Sequence, residues 1–322
     1  MNASAAAKRT LLIALAALAA GCTALPATDG SEVTFALMGD TPYSEREVRL
    51  LDALIDDLNA QDLAFVVHVG DITGGRGPCT DAWFDARQRQ FNRIRHPFVL
   101  VPGDNEWVDC HRSGPFDPLE RLDRIRALFH SGDESLGQRR MKLERQSADP
   151  GGRFGEYHEH VRWIVDRVVF VGLNVQGSNN NLGRTPQMDE EERHRMAAVR
   201  AWLDESVALA LSRGLDGMVV MVQADPDFGG TGRRTPDGFA EFRDMLRDAA
   251  LRFRKPFLFV HGDTHVYRQD RPLADPSTGK TIANFVRLEV PGSPQVAWLK
   301  AGISHALPGL FSVSPAPLPF AP

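Results

Sequence analysis

The sequence predicts an α/β protein in which most strands of the sheet are parallel, and two observations support this class. Along the 322 residues, apolar runs typical of buried strands alternate with segments in which apolar residues recur at helical spacing. Four of the strand-like runs lead into the same dipeptide, Gly-Asp. With 43% hydrophobic and 25% charged residues, the composition excludes a disordered chain, a collagen-like fibre or a small disulfide-dense domain.

The strand-like runs are short, apolar and bounded by loop residues. The four that lead into Gly-Asp are predicted at residues 33–38, 63–69, 98–101 and 257–260. Further strands are predicted at residues 163–173, 218–222, 285–290 and 296–299. After Leu307 the chain becomes rich in proline, so we expect a folded domain over residues 31–305 and a surface or loose tail over 306–322.

Helices are predicted between these strands. Residues 45–61 carry apolar side chains at helical spacing, and Ser44 with Glu47 forms the capping box that begins such a helix. The other helices are predicted at residues 118–129, 189–213 and 236–253. Because strands and helices alternate without an interruption, we expect one domain rather than two.

The first thirty residues are typical of an export signal. Lys8 and Arg9 precede a ten-residue apolar run that is too short to span a bilayer. The run ends near Gly21-Cys22, which resembles the bacterial lipobox, so residues 1–22 are expected to direct acylation of Cys22 and anchoring to a membrane of the cell envelope. Ordinary cleavage nearby, for instance after Ala24, would instead give a soluble periplasmic or secreted protein.

The charge balance and the cysteines agree with such a protein. The formal net charge is −5, and this disfavours a nucleic-acid partner, because binding to phosphate backbones needs a basic face. Besides Cys22 the chain has Cys79 and Cys110, each in a polar loop. An exported pair of this kind is expected to form a disulfide rather than to bind a metal ion, since neither cysteine has a CxxC or CxxH neighbour.

Four aspartates follow four predicted strands, and these are Asp40, Asp71, Asp104 and Asp263. Sites in open α/β sheets form at the carboxyl ends of strands, so the four side chains are candidates for one cleft. Four carboxylates in one cleft repel each other and cannot all ionise without a cation. We therefore predict shared metal ligation. The alternative is that each aspartate is an ordinary helix cap or turn residue.

The order of these motifs resembles that of the calcineurin-like metallophosphoesterases. That family has Asp after the first strand, Gly-Asp after the second, Gly-Asn-His-Asp/Glu after the third, a later His, and Gly-His-x-His near the end. The corresponding residues here are Gly39-Asp40, Gly70-Asp71, Gly103-Asp104-Asn105-Glu106, Gln223 and Gly262-Asp263-Thr264-His265. The resemblance covers residues 33 to about 300 and implies a four-layer αββα sandwich with two mixed sheets.

The same resemblance implies a two-metal site. The first ion would be held by Asp40, Asp71 and His265, and the second by Asp71, Asp104, Gln223 and Asp263. A metal-activated water would then attack the phosphorus of a small phosphate monoester or diester. Asn105 and Glu106 occupy the catalytic positions of the third motif. Glu106 would orient a ligand or cap the following loop, and a shift of register that makes Asn105 a ligand stays open.

The departures from the family pattern bear on metal and activity. Pro42 and Tyr43 follow Asp40 where the family often has a histidine, and Asn105 replaces the histidine that protonates the leaving group. Replacing imidazoles by oxygens favours one or two hard ions, Mg²⁺ or Mn²⁺, with Ca²⁺ as an alternative. Two functions are therefore expected: an exported metal-dependent phosphoesterase, or a catalytically silent envelope lipoprotein that keeps the fold and acts in binding or scaffolding.

Overall fold

A computed structural model describes residues 32–148, 152–232 and 234–315. The predicted signal peptide with its lipobox, including Cys22, lies outside the described residues. Within the described parts of the chain, no helix is long and apolar enough to cross a membrane.

Twelve strands and five longer helices make up the described fold. The strands are β1 (Val33–Met38), β2 (Val66–His68), β3 (Phe98–Leu100), β4 (Glu144–Arg145), β5 (Val161–Val165), β6 (Val168–Gly172), β7 (Gly217–Met221), β8 (Phe257–His261), β9 (Arg268–Asp270), β10 (Phe285–Glu289), β11 (Leu299–Ile303) and β12 (Phe311–Pro315). The helices are α1 (Glu45–Ala60), α2 (Asp81–Phe91), α3 (Pro118–Phe129), α4 (Pro186–Ser212) and α5 (Ala240–Phe253). Short 3-10 helices lie at Val108–Arg112 and Gln146–Ala148, and a single turn lies at Gly177–Asn180.

The strands form two mixed sheets. The first has the order β12-β11-β1-β2-β3, with β1, β2 and β3 parallel and the other two antiparallel. The second has the order β4-β5-β6-β7-β8-β10-β9, with parallel pairing from β6 to β10 and antiparallel strands at its two edges. Parallel pairing of the central strands sends their carboxyl ends to one side of each sheet.

Alternate residues of the strands build the layers. Val219 and Met221 of β7 join Phe35 and Leu258 in an apolar cluster between the sheets. Val220, one residue away, belongs to a second cluster with residues of α4 and α5. A third cluster packs residues of α1, α2 and α3 against the first sheet. Two sheets covered by helices on their outer faces confirm the predicted αββα sandwich.

Several local features differ from the predictions. The strand predicted at residues 296–299 lies instead at Leu299–Ile303, as β11. The apolar run 163–173 is two antiparallel strands, because Asp166 and Arg167 have positive φ angles (46° and 62°) and form the turn of a hairpin. Helix α2 was not predicted, since polar Arg87 and Gln90 share its buried face with aromatic residues. Strand β12 lies inside the predicted tail, residues 306–322, and pairs with β11, so the sheet continues past residue 305.

The predicted disulfide is confirmed. Cys79 and Cys110 are bonded and close a loop with a sequence separation of 31 residues. Both half-cystines are buried. The bond ties the segment before α2 to the 3-10 helix Val108–Arg112, which follows the third Gly-Asp motif.

Candidate functional site

The loops that follow β1, β2, β3, β7 and β8 contact each other, and they bring together the four predicted aspartates. We call Asp40, Asp71, Asp104 and Asp263 the acid cluster. Asp40, Asp71 and Asp104 are at most 6% exposed, and Asp263 is partly exposed. Carboxylates from distant parts of the sequence therefore share one cleft, as the strand-end motifs predict.

Asp40 is bound by the loop after β8. The backbone N–H of Asp263 donates to both carboxylate oxygens of Asp40 at 3.1 Å. The imidazole Nε2 of His265 lies 3.7 Å from Asp40 Oδ1, and its Nδ1 contacts the carbonyl oxygen of Ser293 at 2.7 Å. His265 is thus oriented with Nε2 toward the acid cluster.

Asp71 lies at the centre of the acid cluster and accepts three hydrogen bonds from neutral donors. Tyr43 Oη donates to Asp71 Oδ2 at 2.8 Å, and Gln223 Nε2 donates to the same oxygen at 3.2 Å. The backbone N–H of Asn105 donates to Oδ1 at 3.1 Å. Tyr43 Oη is also 3.2 Å from His265 Nε2, so the phenol lies among three predicted ligands.

The amide of Gln223 has a fixed orientation. Its oxygen accepts the backbone N–H of Gly177 at 2.6 Å, so its NH₂ group faces the acid cluster and also hydrogen-bonds Asp40. To bind a metal ion, Gln223 would have to turn its amide oxygen toward the acid cluster. Its role as a metal ligand stays a prediction.

Asp104 approaches from the third strand. Its carboxylate hydrogen-bonds the side chains of Ser178 and Asp71. The backbone of Gly177 lies against it so closely that a Cβ atom at residue 177 would be 2.9 Å from both carboxylate oxygens. Because glycine has no side chain, residue 177 leaves space for the carboxylate of Asp104.

The backbone is strained at four of the six predicted metal ligands. The φ angles of Asp40, Asp71, Asp263 and His265 are 50°, 61°, 80° and 66°, all in the left-handed region that residues other than glycine rarely adopt. Strain of this kind clusters at functional sites and costs about 1 kcal/mol or more per residue.

Two of the preceding glycines are explained by close approach rather than by unusual dihedral angles. A Cβ on Gly103 would lie 2.0 Å from Asp71 Oδ1, and a Cβ on Gly262 would lie 2.0 Å from Asp40 Oδ2. Both positions therefore require glycine, because any side chain would displace an aspartate of the acid cluster.

Burial and mutual repulsion raise the pKa values of the acid cluster. Burial and then the charge of Asp263 raise the pKa of Asp40 well above its usual value, and burial with the charge of Asp104 does the same for Asp71. Burial raises the pKa of Asp104, and burial with the charge of Asp104 raises that of Asp263 to about 7. Without a cation these carboxyls therefore retain protons far above their ordinary range.

Glu106 connects the loops of the second and third Gly-Asp motifs. Its two carboxylate oxygens accept the backbone N–H groups of Gly103 at 2.6 Å, Asp71 at 3.2 Å and Ile72 at 3.3 Å. The side chain is fully buried, and burial raises its pKa to about 7. The structure thus places Glu106 as a positioning residue between the second and third motifs, and its catalytic role stays a prediction.

Asn105 contributes its backbone to the site through the N–H group that donates to Asp71. Its side chain is buried beside Gly75 and carries no titratable proton. The roles predicted for Asn105, as a catalytic residue or a ligand, stay predictions.

Three polar residues at the edge of the acid cluster are not among the metal ligands and catalytic residues predicted from the sequence. Asp109, Arg112 and Ser178 form a hydrogen-bonded group next to Asp104. Asp109 is buried, and burial with the charge of Asp104 raises its pKa to about 6. None of the three follows a strand directly, so no periodic signal marks them.

The donor set fits a hard divalent cation by its chemistry. It consists of carboxylate oxygens with one imidazole, the ligands that Mg²⁺ and Mn²⁺ accept. As the side chains are arranged, however, no three His, Cys, Asp or Glu residues in the described part of the chain form a group that could hold an ion. The Tyr43 hydroxyl and the Gln223 amide lie among the carboxylates, so binding would require these two neutral donors to shift.

No protein-family model matches the sequence, and no curated protein is significantly similar to it. Solved structures do match. A dimetal phosphatase from Danio rerio aligns over 85% of this chain and 93% of its own, with 12% identity and a TM-score of 0.53. PhoD aligns over 85% of this chain, also with 12% identity and a TM-score of 0.53. This chain covers 65% of PhoD.

These likenesses define the fold class. The arrangement of the two mixed sheets and their helices is similar to that of the dimetal phosphatase and of PhoD. The chain has the calcineurin-like metallophosphoesterase fold, as its motifs predict.

Proposed function

We propose that the protein is an exported metal-dependent phosphoesterase that hydrolyses phosphate monoesters or diesters of small molecules. The observation that carries this proposal is the acid cluster, in which buried carboxylates face one another and are hydrogen-bonded by neutral donors. Several buried carboxylates in one cleft are costly unless a cation compensates them. The likeness to a dimetal phosphatase supports the same conclusion.

The resemblance to the metallophosphoesterase motifs implies two ion positions. Asp40, Asp71 and His265 would hold the first, and Asp71, Asp104, Gln223 and Asp263 the second, with Mg²⁺ or Mn²⁺ favoured over Ca²⁺. Bound divalent cations would supply polarisation of the phosphoryl oxygens and a water of lowered pKa. With such an ion present, the carboxylates would titrate in their ordinary range or below it.

The chain itself orients the proposed ligands. His265 is fixed by its bond to Ser293, and Glu106 keeps the second and third motif loops together through three backbone N–H groups. Asn105 has no proton to give a leaving group, so substrates whose leaving group needs no protonation should react best.

The alternative is a catalytically silent envelope protein that uses the fold for binding or scaffolding. The hydrogen bonds of Tyr43 and Gln223 to Asp71 favour it, because they satisfy that carboxylate without a cation. The enzyme remains the better proposal, since two neutral donors cannot offset the negative charge that the cluster carries once its carboxyls ionise.

Hydrolysis of an activated aryl phosphate and of its diester decides between the two. With added Mn²⁺, the protein should hydrolyse at least one of them, and Asp71→Asn should reduce kcat/KM at least about a hundredfold because it removes the shared ligand. Unchanged circular dichroism would show that the variant is folded. Equal background rates for both proteins would remove the enzyme proposal.

We propose further that Cys22 is acylated and anchors the protein to a membrane of the bacterial cell envelope. The lipobox-like Gly21-Cys22 after an apolar run supports this. Expression with a labelled fatty acid should label the protein, and Cys22→Ser should remove the label. Release of an unlabelled protein into the periplasm would show ordinary signal cleavage instead.

A further inference from the structure

Arg112 is a cationic side chain at the rim of the acid cluster. It ends the 3-10 helix Val108–Arg112, which follows the third motif, and its side chain is 45% exposed. Nη1 is paired with Asp109, and Nη2 donates to Ser178 Oγ at 3.3 Å. A guanidinium has five N–H donors, and among the described residues these two contacts are the ones it makes, so donors are left that face solvent.

The contacts of Arg112 lead directly to Asp104. Ser178 Oγ donates to Asp109 Oδ1 at 2.8 Å, and the same side chain hydrogen-bonds Asp104. The backbone N–H of Asp109 also donates to the carbonyl oxygen of Asp104 at 2.9 Å. Arg112 is therefore separated from a predicted ligand by a single hydroxyl group.

The turn that carries Ser178 is strained and firmly held. Ser178, Asn179, Asn180 and Asn181 all have positive φ angles, between 48° and 69°. The guanidinium of Arg195, which is fully buried, donates to the side chain of Asn180 at 2.7 Å and to its carbonyl at 2.9 Å. A left-handed run of this length persists only where its surroundings fix it, so the position of Ser178 is preorganised.

A second arginine, Arg268, lies near Asp225, whose backbone N–H donates to Asp263. The charge of Arg268 is already balanced by two carboxylates. Arg268 is 3.7 Å from Asp225 and 3.4 Å from Glu289. Arg112 pairs with a single carboxylate, that of Asp109. Of the two, Arg112 is the one with charge to offer an incoming anion.

We propose that Arg112 binds a terminal oxygen of the substrate phosphate and selects monoesters over diesters. This inference rests on the proposed function. A phosphomonoester has three terminal oxygens, and a diester has two. If two oxygens face the acid cluster and its cations, only a monoester has a third oxygen for the guanidinium, which binds phosphate oxygens in a charge-assisted geometry.

Binding of two unreactive analogues tests this without turnover. Phenylphosphonate presents three terminal oxygens, and its monomethyl ester presents two. Calorimetry on the full mature chain with Mn²⁺ should show tighter binding of phenylphosphonate. Arg112→Gln should weaken that binding about tenfold to a hundredfold, as expected for a hydrogen bond between charged groups, and should change binding of the methyl ester less than threefold.

Two further variants serve as controls. Arg252→Gln removes a guanidinium of similar exposure (46%) that pairs with Asp204 on the surface, and it should leave both affinities unchanged. Arg112→Lys keeps the charge without the planar fork and should restore part of the affinity. Steady-state kinetics of Arg112→Gln should show the loss mainly in KM for monoesters.

The results separate this inference from the proposed function. Equal losses for both analogues, no loss in Arg112→Gln, or a wild-type protein that binds neither analogue would overturn the role of Arg112. If the protein binds phenylphosphonate through Arg112 yet hydrolyses no ester, the anion site stands and the enzyme proposal fails. If it hydrolyses esters and Arg112→Gln is unaffected, the enzyme proposal stands and this inference fails.

Discussion

Two buried carboxylate regions of the molecule are treated in opposite ways. Glu159 is fully buried and is bound by a cation of the chain itself, since Arg126 donates to both of its oxygens at 2.8 Å. Asn174 adds a hydrogen bond at 3.0 Å. Asp71, equally enclosed, accepts hydrogen bonds from Tyr43, Gln223 and a backbone amide, all neutral.

The pKa values follow this difference. Burial by itself would raise the pKa of Glu159, but the charge and hydrogen bonds of Arg126 hold it well below its usual value. Burial and the neighbouring carboxylates raise the pKa of Asp71 well above its usual value. The fold thus compensates Glu159 with an arginine of the chain and provides no such cation at Asp71, as the proposed metal site would require.

The largest expected effect is the loss of stability when Glu159, the carboxylate paired with an arginine, is replaced. Glu159→Gln should lower the free energy of unfolding by about 3 to 5 kcal/mol, because it leaves the guanidinium of Arg126 without its buried partner. Asp123→Asn is the matched control, since Asp123 also pairs with Arg126 but is 78% exposed, and it should change stability by less than about 1 kcal/mol. Urea titrations of both variants measure the difference. If Glu159→Gln loses no more stability than Asp123→Asn, the buried ion pair does not set Glu159 apart from the acid cluster.

A substitution beside Asp104 should have a smaller effect on stability and a clear one on metal binding. Gly177→Ala would place a Cβ 2.9 Å from the carboxylate oxygens and should cost about 1 to 3 kcal/mol of stability through overpacking. Displacement of Asp104 should also weaken Mn²⁺ binding about tenfold. Gly309→Ala, with no atom within 4 Å of the added carbon, should change neither quantity. Unaltered Mn²⁺ affinity in Gly177→Ala would argue against Asp104 as a ligand.

The smallest expected effect appears in the pH dependence of the chelator-treated protein. Asp263 has a pKa of about 7 in the folded protein against about 3.9 when unfolded, so the folded state holds more protons between these values and its stability falls as the pH rises through this window. The difference between these two pKa values corresponds to about 4 kcal/mol at most, and solvent around the partly exposed side chain of Asp263 reduces it. Asp263→Asn should therefore match wild type near pH 4.5 and be about 1 kcal/mol more stable at pH 8. Thermal unfolding of both proteins at the two pH values tests this. A variant that is less stable at pH 8 would contradict the repulsion within the acid cluster.

The fold and the proximity of the four aspartates could be predicted from the sequence because both follow from strand ends. Gly39-Asp40, Gly70-Asp71 and Gly262-Asp263 each close an apolar run, and parallel strands deliver such residues to one edge. The motifs also contain the glycines, but the reason for them appears only in the structure. A side chain at residue 103 or 262 would displace an aspartate of the acid cluster.

Other parts of the site could not be predicted, for physical reasons that differ. Asp109, Arg112 and Ser178 lie in loops whose approach to Asp104 depends on tertiary contacts, notably the turn held by Arg195. The position of the Tyr43 hydroxyl among three predicted ligands depends on the chain path after Asp40. No periodicity carries either kind of information.

Calorimetric titration of Mn²⁺ into the chelator-treated protein at pH 7.5 tests the central claim most directly. The account predicts saturable binding of one or two ions, release of protons from the acid cluster, and loss of binding in a folded Asp71→Asn variant. Absence of binding heat in the wild-type protein, or the same binding in Asp71→Asn, would contradict it.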